Sequence, residues 1–226
     1  MGTSKGYIAP STPHWSRTKR SVTSYLSNSS DTKKKDVATK YSDAMNSSDF
    51  FSGQIAHAFS RFAVFVLSYQ SKGINVALQE VEREDILEKP PVEALNELML
   101  NFTNEGATID DAIALDCLSE ALIVLEVHSF NDLSAIDINR VIKELVCQFA
   151  KHKFAQLFDK QIRHKLPNVE EANAKISEMQ EYIYYTMDQR LTPEILSSIN
   201  PNNLADESIV QEIMKKGFDL LKEFYG

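Results

Sequence analysis

From residue 49 onward, apolar side chains return every three or four residues and show no sustained alternation of every second one. Phe50, Phe51, Ile55, Ala58, Phe59, Phe62, Val66, Leu67 and Tyr69 set the pattern, which is that of an amphipathic helix with a broad buried face. Asp49 is the expected N-cap. A pleated strand would send successive residues to opposite faces, so this spacing suits helices and excludes a sheet. No paired strands or hairpin turns interrupt it. The class expected is all-α: an irregular bundle of six to eight helices.

Breaks divide the pattern. Gly73 closes the first helix or opens the next, which runs through Val76, Leu78, Val81 and Ile86-Leu87. Lys89-Pro90-Pro91 is a firm stop, because the residue before a proline is pushed out of the helical region. A helix over 92–102 follows, ended by Asn104-Glu105-Gly106. Thr108 with Asp111 three positions on is a variant capping box. The helix it starts, about 109–128, is apolar nearly all round and is the expected central buried helix. Further helices are expected over 135–165 and 169–190, then from Thr192-Pro193-Glu194 to about Ile199, and over 206–224. Asn200-Pro201-Asn202-Asn203 reads as a loop. No internal repeat of solenoid period is present.

The first 48 residues differ. They hold seventeen Ser/Thr and few aliphatics, the makeup of a flexible, largely unfolded leader. The expected division is therefore a flexible basic tail over 1–48 and a helical domain over 49–226. Two segments stand out within the tail. Residues 15–26 allow a short helix with Trp15, Val22, Tyr25 and Leu26 on one face, and 37–45 reads as a marginal helix or a linker. Met1 to Ser16 includes two of the seven glycines, two of the seven prolines and the sole tryptophan. Aromatics such as Tyr7 and Trp15 are depleted in segments that never bury surface, which points to a task for this stretch.

Charge follows the same division. Residues 1–40 carry eight Lys/Arg against Asp31 and Asp36, a net of +6, while the remaining 186 residues carry a net of −14. A basic arm of this kind docks on its own body, meets an acidic partner, or contacts phosphate. Docking or plain solvation is favoured. Cys117 and Cys147 sit in apolar helical patterns as small buried hydrophobes, not as a disulfide framework. No apolar run approaches membrane-spanning length, and the N-terminus has no secretory pattern. A soluble, cytoplasmic protein is expected.

Catalytic constellations are missing from the sequence. His14, His57, His128, His152 and His164 form no HExxH and no Cys/His grouping with metal spacing. His152 and His164 each stand between basic residues on what reads as a solvated face, and His57 reads as a core or boundary residue. Glu144 and Glu181 suit facing helices, but no Glu-x-x-His accompanies them. Phosphate-binding glycine loops and nucleophile elbows are also missing. Tyr182, Tyr184 and Tyr185 fit helix packing better than ligand stacking. Neither a catalytic residue nor a cofactor is expected.

One chemically distinct group remains. Removal of Met1 ahead of the small Gly2 exposes a glycyl α-amine of pKa near ~8, partly neutral at physiological pH and unhindered by a Cβ. Position six is Gly6, where N-myristoylation wants Ser or Thr. The run Gly2-Thr3-Ser4-Lys5-Gly6-Tyr7, with Pro10 and Trp15, resembles the start of the B component of the bacterial Qat anti-phage defence system, the QatB family.

That resemblance covers the first sixteen residues. It implies a non-catalytic member of a defence complex encoded beside an ATPase, a QueC-like enzyme and a TatD-like nuclease. It implies Gly2 as an acceptor for modification by the QueC-like partner, through amide conjugation of an activated deazaguanine. Thr3, Ser4, Gly6, Tyr7, Pro10 and Trp15 are then recognition residues, and the body binds another member, the ATPase being the expected one. A nucleic-acid-binding accessory protein using the basic arm is the alternative.

Overall fold

The computed structural model describes residues 8–51, 53–197 and 203–222, and among these there are helices and turns but no strand. Eleven α-helices run in order: α1 (Pro13–Ser27), α2 (Asp31–Asn46), α3 (Gln54–Lys72), α4 (Ile74–Glu80), α5 (Pro91–Phe102), α6 (Ile109–Val124), α7 (Phe130–Leu133), α8 (Ile138–Lys165), α9 (Val169–Arg190), α10 (Pro193–Ser197) and α11 (Glu207–Leu220). The all-α class is as expected, and the helix count is higher than six to eight. The excess comes from α1 and α2, which lie in the stretch expected to be unfolded, and from the four-residue α7. Among the described residues no helix is long and apolar enough to cross a membrane.

The chain divides into two compact units. The first comprises Met1–Phe50, Ala150–Arg190 and Lys215–Gly226, and the second Phe51–Phe149 and Leu191–Met214. Both α8 and α11 contribute residues to each.

In the first unit the expected flexible tail is replaced by a helical hairpin. Pro13 at the first helical position suits the start of α1, and Ser30 precedes α2 in an extended conformation. Trp15, Val22, Tyr25, Val37, Tyr41 and Met45 are fully buried. Trp15 meets Phe50 edge-on at 5.6 Å and lies 6.2 Å from Phe158, and Tyr41 meets Phe154 at 5.5 Å and Phe218 at 5.4 Å. Such pairs contribute roughly 0.5–1.5 kcal/mol each beyond the area they bury. Polar partners complete the packing: the Trp15 indole N–H donates to Ser48 Oγ at 2.9 Å, Tyr41 to the Ala150 carbonyl at 3.0 Å, and Ser42 to the Phe218 carbonyl at 2.5 Å.

The second unit is built around α3. Phe62 and Phe65 pack on Phe102 of α5 at 6.3 and 5.9 Å. Arg61 crosses the same junction, donating to the Asn101 carbonyl and Oδ1 and lying over the Phe102 ring at 5.1 Å. Asp49 does not cap α3. That helix starts after Gly53, whose φ of 78° is a region open chiefly to glycine, and Phe50 and Phe51 belong to the preceding turn. The second helix also stops early, at Glu80, because Glu82 takes a left-handed φ of 56°. The Thr108–Asp111 capping box is present: Asp111 N donates to Thr108 Oγ1 at 3.1 Å and Thr108 N to Asp111 Oδ2 at 3.0 Å.

The helix it starts is not a wholly buried centre. Cys117, Leu118 and Ala121 are buried, but Ile109, Ile123 and Val124 are 54, 71 and 43% exposed. Helix α6 has apolar residues on a side its own unit does not cover. Cys117 and Cys147 are buried free thiols. The ends expected at Ile199 and Phe224, and Asn200 to Asn202 of the expected loop, lie outside the described residues.

The hairpin's place in the core sets the first expectation. Trp15→Ala should destabilise the protein by about 3–5 kcal/mol, read as a lower midpoint in urea unfolding followed by circular dichroism. An unchanged midpoint would return residues 13–46 to the role of a solvated tail.

Candidate functional site

The site of interest is where the N-terminal leader joins α1. Thr12 is extended, and its carbonyl accepts the first helical bond from Ser16 N at 2.9 Å. Lys19, nearly two turns into α1, sends its ammonium back along the chain. It donates to the carbonyls of Ala9 at 2.5 Å and Pro10 at 2.9 Å. Charge-assisted bonds of this kind are about twice as strong as neutral ones. Ala9 is buried while Ile8, one residue earlier, is 57% exposed. The leader is thus pinned at residues 9–10 and meets solvent at residue 8. Gln161 of α8 donates to the Lys19 carbonyl at 2.8 Å and to Thr23 Oγ1 at 3.1 Å, holding the clamp's own helix.

A second anchor lies one and a half turns further on. Tyr25 is buried, and its hydroxyl donates to Glu178 Oε2 of α9 at 2.7 Å. Lys34 of α2 reaches Glu178 Oε1 at 2.8 Å, and Lys175 reaches Oε2 at 2.9 Å while its ammonium lies 5.6 Å from the Tyr25 ring centre. Burial pushes the Glu178 carboxyl up, but the hydrogen bonds from Lys34, Lys175 and Tyr25 outweigh it and hold the pKa at about 2. The Tyr25 phenol is pushed well up, first by burial and then by Glu178. One carboxylate therefore ties both leader helices to α9.

The residues singled out by sequence fall into three groups. Gly2, Thr3, Ser4, Gly6 and Tyr7 lie outside the described residues. Pro10 is half-buried and offers its carbonyl to Lys19. Trp15 has no exposed surface and packs against Phe50 and Phe158 behind the leader. Lys19 and Glu178 were not singled out, and Tyr25 was named only for the apolar face of a short helix. Lys19 read as one charge of a run, and the Tyr25–Glu178 pair is separated by 153 residues, beyond any local signal.

The basic arm is partly consumed by the protein itself. Lys19 holds the leader, Lys34 holds Glu178 and Asp31, and Lys40 pairs with Asp36 at 2.7 Å. Arg17 and Arg20 lie on the exposed side of α1.

Elsewhere several titratable side chains are engaged in structure. His57 Nδ1 lies 2.7 Å from Glu207 Oε1 at the edge of a 280 Å³ cleft that Arg61 and Glu80 also line. Burial lowers the Arg61 pKa, and its guanidinium is committed to Asn101. Glu80 takes bonds from Ser68 and Lys72. Glu144 is buried beside Gln148, and Glu181 is exposed. Tyr184 and Tyr185 pack edge-on at 5.5 Å, with Tyr185 60% exposed. Among the described residues no group of His, Cys, Asp and Glu has the arrangement to hold a metal ion.

The Glu178 anchor carries a signed pH dependence. Its folded pKa lies below the unfolded value of 4.5, so its contribution is present above pH ~4.5 and lost as pH falls towards ~2. Urea midpoints of the wild type and Glu178→Gln should differ at pH 7 and converge towards pH 2.5. A gap independent of pH would remove the carboxylate from that role.

In comparison with known protein families, the model described as Qat anti-phage system associated protein QatB matches residues 51–221. No curated protein and no solved structure gives a significant match. The matched residues begin after the α1–α2 hairpin and do not overlap the sixteen residues that carry the leader resemblance.

Proposed function

The chain belongs to the QatB family, a component of the Qat anti-phage system, and on that premise we propose that it works as a non-catalytic carrier of its own N-terminus. The observation that supports this reading is the Lys19 clamp. A leader meant only to keep the chain soluble gains nothing from a lysine spent on two of its carbonyls. A leader presented to an enzyme gains a defined point of departure, which lowers the entropy lost on binding. From Ile8, the links back to Gly2 bound the α-amine to within roughly 20 Å.

In this reading the free Gly2 amine is the acceptor, and Thr3, Ser4, Gly6 and Tyr7 are read by the QueC-like partner that the leader resemblance implies. The chemistry is an amide formation. The carboxylate of a deazaguanine attacks the α-phosphorus of ATP and displaces pyrophosphate to give an acyl adenylate; the neutral amine attacks the acyl carbon, and the C–O bond to AMP breaks as C–N forms. The amine then loses its proton. The helical body binds other members of the complex, the ATPase first among them. The nucleic-acid reading has less support, since Lys19, Lys34 and Lys40 of the arm already have partners within the protein.

Intact mass and N-terminal peptide mapping, with and without the neighbouring genes, test the proposal. A partner-dependent mass increase on Gly2 is expected. Gly2→Leu, which retains Met1, should abolish both the increase and phage protection while leaving the circular dichroism spectrum unchanged. Lys19→Met should slow modification severalfold with the same fold. An unmodified Gly2 in every sample, or full protection by Gly2→Leu, would overturn the carrier role.

A further inference from the structure

The outer side of α1 begins at the leader junction. Pro13, Arg17, Arg20, Ser24 and Ser27 recur at three- and four-residue steps and share one side of the helix, where Pro13, Arg17, Arg20 and Ser27 are exposed. The bond from Lys19 to the Ala9 carbonyl sets Ile8, 57% exposed, beside the same turns. Two guanidinium groups and one solvated aliphatic side chain thus stand together where the leader leaves the protein.

Neither arginine is spent within the chain. Lys19, Lys34 and Lys40 each have partners, but among the described residues neither Arg17 nor Arg20 has an ion pair. Supply is not the reason, because the chain holds 32 Asp/Glu against 24 Lys/Arg. Residues 1–30 contain no acid at all, so no carboxylate of α1 or the leader offsets the two charges. The helix dipole offers them nothing either, since it favours cations in the C-terminal turn.

Charge and position identify what fits there. Arginine is enriched in protein interfaces, and its planar fork takes a carboxylate through two parallel bonds. Two arginines are a small footprint for a nucleic-acid backbone, and residues 41–226, with a net of −14, repel one. An enzyme that takes the Gly2 amine works within roughly 20 Å of Ile8. Arg17 and Arg20 stand only about 6 and 10 Å along the helix axis from Pro13, within reach of that enzyme's surface.

We propose that Arg17, Arg20 and Ile8 form the docking face for the enzyme that modifies the leader, and that the enzyme's surface beside its amine pocket is acidic. The proposal rests on the carrier reading and gives the partner its chemistry: carboxylates for the two guanidinium groups and an apolar spot for Ile8. The attraction acts on the encounter, and the chemical step is left as it is.

The full-length wild type, R17E/R20E and R140E/K215E are each presented to the purified enzyme with ATP and the deazaguanine carboxylate, and intact mass gives the rate of modification. The last variant makes the same change in net charge at exposed cations outside α1. At low salt R17E/R20E should show kcat/KM roughly tenfold below the wild type with kcat unchanged, and the gap should close as salt rises. R140E/K215E should match the wild type. Ile8→Asp should raise KM severalfold at every salt concentration. All these side chains are on the surface, so circular dichroism should be unchanged. Wild-type kcat/KM in R17E/R20E, an equal loss in R140E/K215E, or a loss indifferent to salt would remove the docking face and leave the carrier reading intact. Binding of a duplex DNA probe that R17E/R20E abolishes would reassign the face to phosphate. A wild-type chain that the enzyme leaves unmodified would overturn both readings.

Discussion

Burial of Trp15 is the constraint on which the first unit depends. The indole fills a pocket made by side chains distant in sequence, Tyr41, Phe50 and Phe158, and its N–H is satisfied by Ser48. Because α1 begins only two residues earlier, the same burial determines where the leader starts. The hydroxyls around it are absorbed locally. Thr18, Thr23, Thr39 and Ser27 each donate to a carbonyl one turn back in their own helix, a bond that Ser and Thr make readily in helices. Polar composition and helical structure coexist because these hydroxyls find acceptors within their own helices.

That explains where the sequence misled. Between Gln54 and Arg190 periodicity and punctuation located most helices, because proline and glycine act within a residue or two of where they stand. The capping box at Thr108 was legible for the same reason. The hairpin was not, since its stability lies in pairs such as Tyr25 with Glu178 and Ser42 with Phe218, which composition does not record. Helix α6 failed in the opposite sense. An apolar residue at every angle implies burial only if something covers every angle, and among the described residues nothing covers Ile123, which is 71% exposed. Of the candidate site, Gly2 and its neighbours were visible as composition, whereas Lys19 became meaningful only once its two acceptors were in place.

Charge segregation in this chain is therefore a statement about surfaces more than about folding. Three of the eight cations near the N-terminus, Lys19, Lys34 and Lys40, are used inward, on Ala9, Pro10, Glu178 and Asp36. The stretch between residues 90 and 139 carries ten acids and no Lys or Arg, and Glu93 and Glu97 in it are met by Lys89 and Arg83 from just ahead of it. A net charge of −8 hides both facts, and each surface carries its own sign.

The Lys19 clamp has a consequence for how such a chain can vary over time. Residues added or removed ahead of Ile8 change the length of chain to the amine, by about 3.5 Å each when extended, and leave the bonds from Lys19 to Ala9 and Pro10 in place. One residue gained or lost between Pro13 and Lys19 turns the lysine by about 100° around the helix, away from both carbonyls. Drift in length is thus permitted on one side of Pro10 and penalised on the other, so relatives should differ in how far the amine reaches while agreeing on the turn from which it sets out.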